Sequence, residues 1–279
     1  MNLGTWLKEA QQRASRLSET GSLEIQALIS SVLDKPRSWV LAHPEYELAI
    51  TDSSRLGEML SQLERSIPLA YIIGTSHFYG LQFYTTSDVL IPRPETEMLV
   101  EKAINWTKNH MSTGIVLDIG TGSGCIAISL AVNLTGSKCV AIDNSMTALK
   151  VAKRNANFNN VQNQCSFINS DLSSSLFGKF QLICANLPYI PTYKLEKLSV
   201  ARFEPKVALD GGKDGLDLIQ RLLADSVRIA ARKVCLLLEI ESEQGDIVRK
   251  LAQNFYPDAD IKIEKDLAGL DRLLVIERY

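Results

Sequence analysis

The sequence predicts an α/β domain, with a mostly parallel sheet covered by helices, preceded by a small helical domain. Three observations predict it. Short apolar runs alternate with helical patterns from Ile115 onward, the first such run ends in a glycine-rich turn, and the first seventy or so residues carry helical spacing alone. A chain of 279 residues has room for one core domain and a smaller companion.

Residues 1–75 read as the small domain. Leu3, Trp6, Leu7, Ala10, Ala14 and Leu17 recur at helical intervals, and Trp6 reads as a core residue. Ser22 is placed to cap a second helix carrying Ile25, Leu28, Ile29, Val32 and Leu33 on one side. Pro36 and Pro44 punctuate the next stretch, and Ser54 is expected to start a helix through Leu56, Met59, Leu60 and Leu63. In residues 76–92, Phe78, Tyr79, Leu81, Phe83 and Tyr84 surround Gly80 and are followed by Val89, Leu90 and Ile91. That composition suits two short strands, a hairpin linking the domains. Pro92 and Pro94 stop any strand, and Glu95 or Thr96 opens a helix burying Met98, Leu99, Ala103 and Ile104.

Residues 93–279 form the α/β part. Strands are expected at 115–117, 139–142, 166–168, 180–184 and 234–239, and helices at 124–134, 146–155 and 244–255. Residues 261–263 and 273–276 are separated by a short polar loop with no helical pattern, which predicts an antiparallel hairpin at the sheet edge.

Composition narrows the function. With 30 basic against 32 acidic side chains, and seven against nine in the first seventy residues, no broad positive field exists to hold a nucleic-acid backbone. Residues 1–9 lack an apolar core of signal-peptide length, and apolar runs such as 234–238 are too short to cross a bilayer. The five cysteines, Cys125, Cys139, Cys165, Cys184 and Cys235, are odd in number and widely spaced, which predicts reduced thiols and a cytoplasmic location. No Cys-x-x-Cys occurs, and His43, His77 and His110 lack partners at ligand spacing, so no metal site is expected.

The stretch Val116-Leu117-Asp118-Ile119-Gly120-Thr121-Gly122-Ser123-Gly124 follows the first strand. Its glycines allow a tight turn and close passage of a ligand, and the helix that follows presents free backbone donors. Asp143 ends the next strand roughly twenty positions on, where a carboxylate can accept from both hydroxyls of a ribose. The third glycine of the dinucleotide fingerprint is replaced by Cys125, and no Gly-Lys-Ser or Gly-Lys-Thr follows to cradle phosphate. Asp118 is placed to hold a cationic, phosphate-free ligand, of which S-adenosylmethionine is one. Asp171 is placed to meet an adenine amino group, and Leu172 to cover the ring.

After the strand at 180–184 comes Asn186-Leu187-Pro188-Tyr189, at the same end of the sheet as the glycine turn. An amide, outward carbonyls, a stiffening proline and an aromatic ring suit a flat acceptor bearing an NH2. Asn186 and the carbonyls accept its hydrogens, and Tyr189 stacks on its plane. The element therefore points to methylation at a planar nitrogen, either a side-chain amide or a ring-amino group.

Here the sequence resembles the HemK/PrmC family, the protein-glutamine N5-methyltransferases that modify peptide chain release factors. Ile91-Pro92-Arg93-Pro94-Glu95-Thr96-Glu97 is similar to the family's segment between its domains. The glycine turn and residues 186–190 match its cofactor and acceptor motifs. Arg202-Phe203-Glu204-Pro205, residues 208–216, Leu237-Leu238-Glu239-Ile240 with Gln244-Gly245, and residues 266–272 follow its pattern in order and spacing. The resemblance implies a Rossmann-like, seven-stranded class I methyltransferase domain at 93–279, a hairpin connector at 76–92 and a helical substrate-recognition domain at 1–75. It implies methyl transfer from S-adenosyl-L-methionine to the glutamine of the Gly-Gly-Gln motif of class-1 release factors. By the same resemblance Gly120, Thr121, Gly122, Ser123 and Gly124 enclose the methionine part of the cofactor, Asp143 takes its ribose and Leu172 lies beside adenine. Asn186, Leu187, Pro188 and Tyr189 bind the glutamine amide, Asn186 lies near the cofactor too, and Asn186, Pro188 and Tyr189 form the catalytic group. A monomer is the default expectation.

One position departs from the family, which usually has Asn-Pro-Pro-Tyr where this chain has Leu187. Leucine keeps the carbonyl but adds an N–H, and Asn-Leu-Pro-Tyr is also familiar among adenine-N6 methyltransferases acting on ribosomal RNA. N6-adenine methylation of RNA or DNA is therefore the chemical alternative. Other segments have plain structural readings: Gly211-Gly212 as a loop with Asp214 capping a helix through Leu216, Ile219 and Leu222, and Arg202 with Glu204 as a surface ion pair.

Overall fold

The structure, a computed structural model, describes residues 1–14, 20–111 and 113–279. They divide into two compact units, Met1–Gly74 and Thr75–Tyr279. The first holds α1 (Leu3–Ala14), α2 (Gly21–Leu33), α3 (Arg37–Ala42), α4 (Ile50–Glu64) and α5 (Leu69–Ile73). Apolar side chains three or four apart give each long helix one buried stripe, and Leu3, Trp6, Ile25, Leu28, Ile29, Leu56 and Leu60 meet in the core. Leu17 lies outside the described residues. Two helix starts differ from expectation. Ser22 sits inside α2, where its hydroxyl accepts from the Gln11 and Gln26 side chains, and Thr20 takes the N-cap position without a side-chain cap. α4 begins at Ile50 rather than Ser54, with Asp52 in its first turn at the positive end of the helix dipole.

The second unit opens with the antiparallel pair β1 (Thr75–Phe78) and β2 (Leu81–Tyr84). Tyr79 (φ 49°) and Gly80 (φ 73°) make its two-residue turn. There follow α6 (Glu97–His110), β3 (Ile115–Ile119), α7 (Cys125–Asn133), β4 (Lys138–Asp143), α8 (Met146–Phe158) and β5 (Cys165–Asn169). Then come β6 (Phe180–Ala185), α9 (Thr192–Leu195), α10 (Asp217–Ile229), β7 (Ala230–Glu239), α11 (Gly245–Phe255), β8 (Asp260–Lys265) and β9 (Asp271–Arg278). The two expected short strands are both complete by Tyr84, and residues 89–91 lie outside the hairpin. Val89 instead packs on Ala148 and Val151 of α8, and Pro92 offers no ladder donor.

Seven strands make one sheet in the order β5-β4-β3-β6-β7-β9-β8. β3 to β7 are parallel, and β9 runs antiparallel to β7 and to β8 at the edge, as the polar loop between them predicts. Alternate side chains serve opposite faces. Val116, Cys184 and Leu237 meet α6 and α7, whereas Leu117, Ile183 and Leu236 meet α10 and α11. Burial on both faces explains why these strands read as unbroken apolar runs. From β3 the chain goes to β4 and β5 on one side, then returns to β6 on the other. The loops leaving β3 and β6 thus open on one crevice, the topological switch point of the sheet.

Asn155, fully buried on α8, ties the hairpin to that crevice. Its Oδ1 accepts from Tyr84 N at 2.6 Å, and its Nδ2 donates to Tyr84 O at 3.0 Å and Ser123 O at 2.8 Å. Asn155→Ala would strand these groups, so it should lower the unfolding free energy by about 2–4 kcal/mol, read as a drop in the urea midpoint.

Candidate active site

At the switch point lies a cavity of about 650 Å³, a size that suits a nucleoside-bearing ligand. Gly120, Thr121, Gly122 and Ser123 form one wall. Gly120 has φ +74°, and a Cβ there would stand 2.8 Å from Leu187 Cδ2, so glycine lets the cofactor turn lie against the acceptor loop. Gly124 is at the N-cap of α7 and faces Ile128 and Ala152 rather than the cavity.

Asp118 is placed otherwise than expected. Gly120 N and Thr121 N both donate to Ile142 O, folding the turn over it and leaving it fully buried, off the cavity. Its Oδ2 accepts from Thr121 Oγ1 at 2.6 Å and from Ala127 N, in the first turn of α7, at 3.2 Å. Its Oδ1 has no hydrogen-bond partner among the described residues. Burial pushes this carboxyl up to about 7 against the pull of those hydrogen bonds. Asp118 braces the turn from below instead of meeting a ligand.

Asp143 does line the cavity. Its Oδ2 accepts from Gly122 N and its Oδ1 from Ser145 N, both at 2.8 Å, and the carboxylate, with about four acceptor sites, keeps capacity for a ligand. Burial raises its pKa, opposed by these backbone donors. Leu172 also lines the cavity, held at φ +47°, a left-handed backbone costing about 1–2 kcal/mol for a side chain of its type. Asp171, at the rim, pairs with Arg221 at 2.7 Å.

Across from the turn, Asn186, Leu187 and Pro188 line the cavity, and Tyr189 does not. Asn186 Nδ2 donates to Thr96 Oγ1 at 3.0 Å, and Thr96 Oγ1 donates to Glu239 Oε2 at 2.7 Å. Tyr189 OH donates to Glu239 Oε1 at 3.2 Å, and Gln244 Nε2 donates to Tyr189 O at 3.1 Å. These two bonds draw the ring onto the sheet's core, behind the loop, and away from the stacking position expected of it. Burial pushes both the Glu239 carboxyl and the Tyr189 hydroxyl up. Thr96 and Glu239 were missed as site residues by reasoning from the acceptor motif, and their only signal was membership of the segments at 91–97 and 237–240.

The remaining segments build the wall behind the loop. A Cβ on Gly211 would lie 2.8 Å from Pro188 O and Tyr189 Cα, Ile190 N donates to Leu209 O, and Gly211 N donates to Ile190 O. Asp214 does not cap α10, which starts at Asp217 with Leu216 in the N-cap position. Glu204 does not pair with Arg202. Its buried carboxylate receives Arg93 Nη2 at 2.6 Å, because an inward-facing carboxylate needs a cation that reaches it. Among the described residues, no three His, Cys, Asp or Glu side chains gather as a metal site, and no helix is long and apolar enough to cross a membrane.

Residues 5–74 match the family model of the PrmC N-terminal domain, and residues 95–203 that of the methyltransferase small domain. The release factor glutamine methyltransferase of Coxiella burnetii is 35% identical over 97% of this chain and 97% of its own length. That of Moorella thermoacetica is 36% identical over 100% of this chain and 99% of its own length. The chain belongs to the release factor glutamine methyltransferase family. Thr96, Gly211, Glu239 and Gln244, from the segments at 91–97, 202–216 and 237–245, all pack around the acceptor loop. A 16S rRNA N2 G1207 methyltransferase of T. thermophilus, solved with AdoMet and guanosine, shares the fold alone. It has 16% identity and a TM-score of 0.53, over 74% of this chain and 50% of that one.

For Asp118 the fold favours the protonated carboxyl. That contribution is complete below about 3.8 and is lost as the pH rises through about 7. Asp118→Asn keeps an acceptor for Thr121 and Ala127 and has no charge to bury. The urea midpoint of the variant should therefore fall less than that of the wild type as the pH is raised across this window. Parallel curves would show that Asp118 does not titrate there.

Proposed function

We infer that the protein transfers the methyl group of S-adenosyl-L-methionine to the side-chain amide nitrogen, N5, of the glutamine in the Gly-Gly-Gln motif of class-1 peptide chain release factors, the proteins of translation termination. Family membership carries this assignment, with relatives at 35% identity matched over nearly the whole chain, helical unit included.

The cavity suits the cofactor. The glycine turn contains no lysine to hold phosphate, a ribose-accepting carboxylate ends β4, and an apolar side chain stands where a purine would lie. Gly120, Thr121, Gly122 and Ser123 hold the methionine part, Asp143 the ribose and Leu172 the adenine face, while Gly124 seats α7 behind the turn. The cofactor brings a methyl group made electrophilic by its sulfonium.

The residues around the acceptor loop do the rest. An amide nitrogen is a poor nucleophile because its lone pair is delocalised. Asn186 Oδ1 and the Leu187 carbonyl accept the two N–H hydrogens. They hold the nitrogen in line with the methyl and favour the form in which its planarity is being lost. Tyr189 supports the loop from behind through Glu239 and Gln244. The helical unit contacts the release factor away from the glutamine. The five unpaired cysteines support a reducing, cytoplasmic setting.

Purified protein incubated with labelled S-adenosyl-L-methionine should label a class-1 release factor, and replacing the Gly-Gly-Gln glutamine should abolish the label. Label confined to adenine in rRNA fragments would sink this assignment in favour of N6-adenine methylation. Asn186→Ala should lower kcat by roughly a hundredfold and leave most cofactor affinity in place, as measured by calorimetry.

A further inference from the structure

We propose that Thr96 and the buried Glu239 are positioning residues that decide which way the Asn186 amide faces. This deepens the function inferred above and depends on Asn186 offering its carbonyl oxygen to the substrate amide.

The two ends of an asparagine amide have nearly the same shape, so packing alone does not choose between them. A hydrogen-bond chain chooses here. An ionised carboxylate accepts and never donates. Glu239 is 2% exposed and accepts hydrogen bonds from the Thr96 hydroxyl at 2.7 Å and the Tyr189 hydroxyl at 3.2 Å. With its single O–H engaged in that donation, Thr96 Oγ1 can only accept from its other neighbour. The Asn186 atom 3.0 Å away is therefore Nδ2, and Oδ1 is left for the cavity. The reverse orientation would set two acceptors face to face and aim N–H donors at the N–H donors of the substrate. Such a site would repel the group it has to hold.

Burial raises the Glu239 pKa, and Glu95 beside Thr96 adds to the rise; the Thr96 and Tyr189 hydroxyls, with Arg272 on β9, itself paired with Asp266 at 3.1 Å, pull toward the ionised form. The direction of donation rests on the geometry, in which both carboxylate oxygens face hydroxyl donors. The three members come from separate segments: the turn before α6, the loop after β6 and the end of β7. Thr96 and Glu239 stand 143 positions apart. A purely packing role for Thr96 would need its shape; the orienting role needs its hydroxyl.

Thr96→Val keeps the shape and removes the hydroxyl, whereas Thr96→Ser keeps the hydroxyl. With full-length protein and an intact release factor, Thr96→Val should lower kcat by roughly ten- to a hundredfold. The cofactor Kd and the release-factor KM should change far less, and Thr96→Ser should restore most of the rate. Glu239→Gln, which can donate to Thr96 and so reverse the chain, should lower kcat in the same way. The double variant Thr96→Val with Glu239→Gln should be no slower than the worse single one. Wild-type kcat in Thr96→Val, or equal loss in folded Thr96→Ser, would overturn the proposal. If Thr96→Val does not fold, wild-type kcat in Glu239→Gln would do the same. If Asn186→Ala itself keeps the wild-type rate, the role of Asn186 fails first, and that result is distinct from the others.

Discussion

β3 and β6 are direct neighbours in the sheet, with Ile119 opposite Ala185, and the crevice depends on that pairing. Strands in a sheet lie about 4.8 Å apart, so the segments leaving two paired carboxyl ends are forced into contact. Gly120 and Asn186 are the next residues on each strand. A turn shaped for a nucleoside and a loop shaped for a planar nitrogen therefore begin side by side. The reaction needs a methyl donor and an acceptor in line, and the sheet supplies that proximity before any side chain is considered.

The acids around this crevice mostly hold the chain in place. Asp118 ties the glycine turn to α7, Asp143 ties the same turn to the end of β4, Glu204 holds Arg93, and Glu239 gathers Thr96 and Tyr189. Burying a carboxylate is costly unless donors surround it, and each of these has found at least one. The result is a site whose loops are pinned from below, with a cavity wall that is mostly apolar and carries the Asn186 amide at the acceptor loop. A neutral amide substrate needs acceptors and alignment, and a strong base in the wall would add little.

Much of the α/β unit was legible because each parallel strand is buried on both faces and reads as an apolar run, and because the glycine turn has a local reason for its glycines. The helix starts at Ser22 and Ser54 were misplaced because a hydroxyl is only one way to begin a helix. α4 begins instead with Ile50 and an early Asp52. The sequence places Asp118 beside the glycine turn but does not show the turn folding back over its own strand and covering it. The turn of Tyr189 away from the cavity is not legible locally, because its anchor, Glu239, lies 50 positions away. Glu204 likewise has Arg202 near it in sequence, whereas its partner, Arg93, lies 111 positions off. Local patterns show periodicity and turn chemistry, whereas the partners of buried polar groups are set by topology.

The contact between Gly120 and Leu187 couples the tolerance of two positions to substitution. Leu187 Cδ2 occupies the space that a side chain at 120 would need. A side chain at 120 would have to push Leu187 aside and also hold a backbone at φ +74°, which glycine adopts without strain. Change at 120 is therefore coupled to the shape of the residue at 187, even though one position serves the methyl donor and the other its recipient.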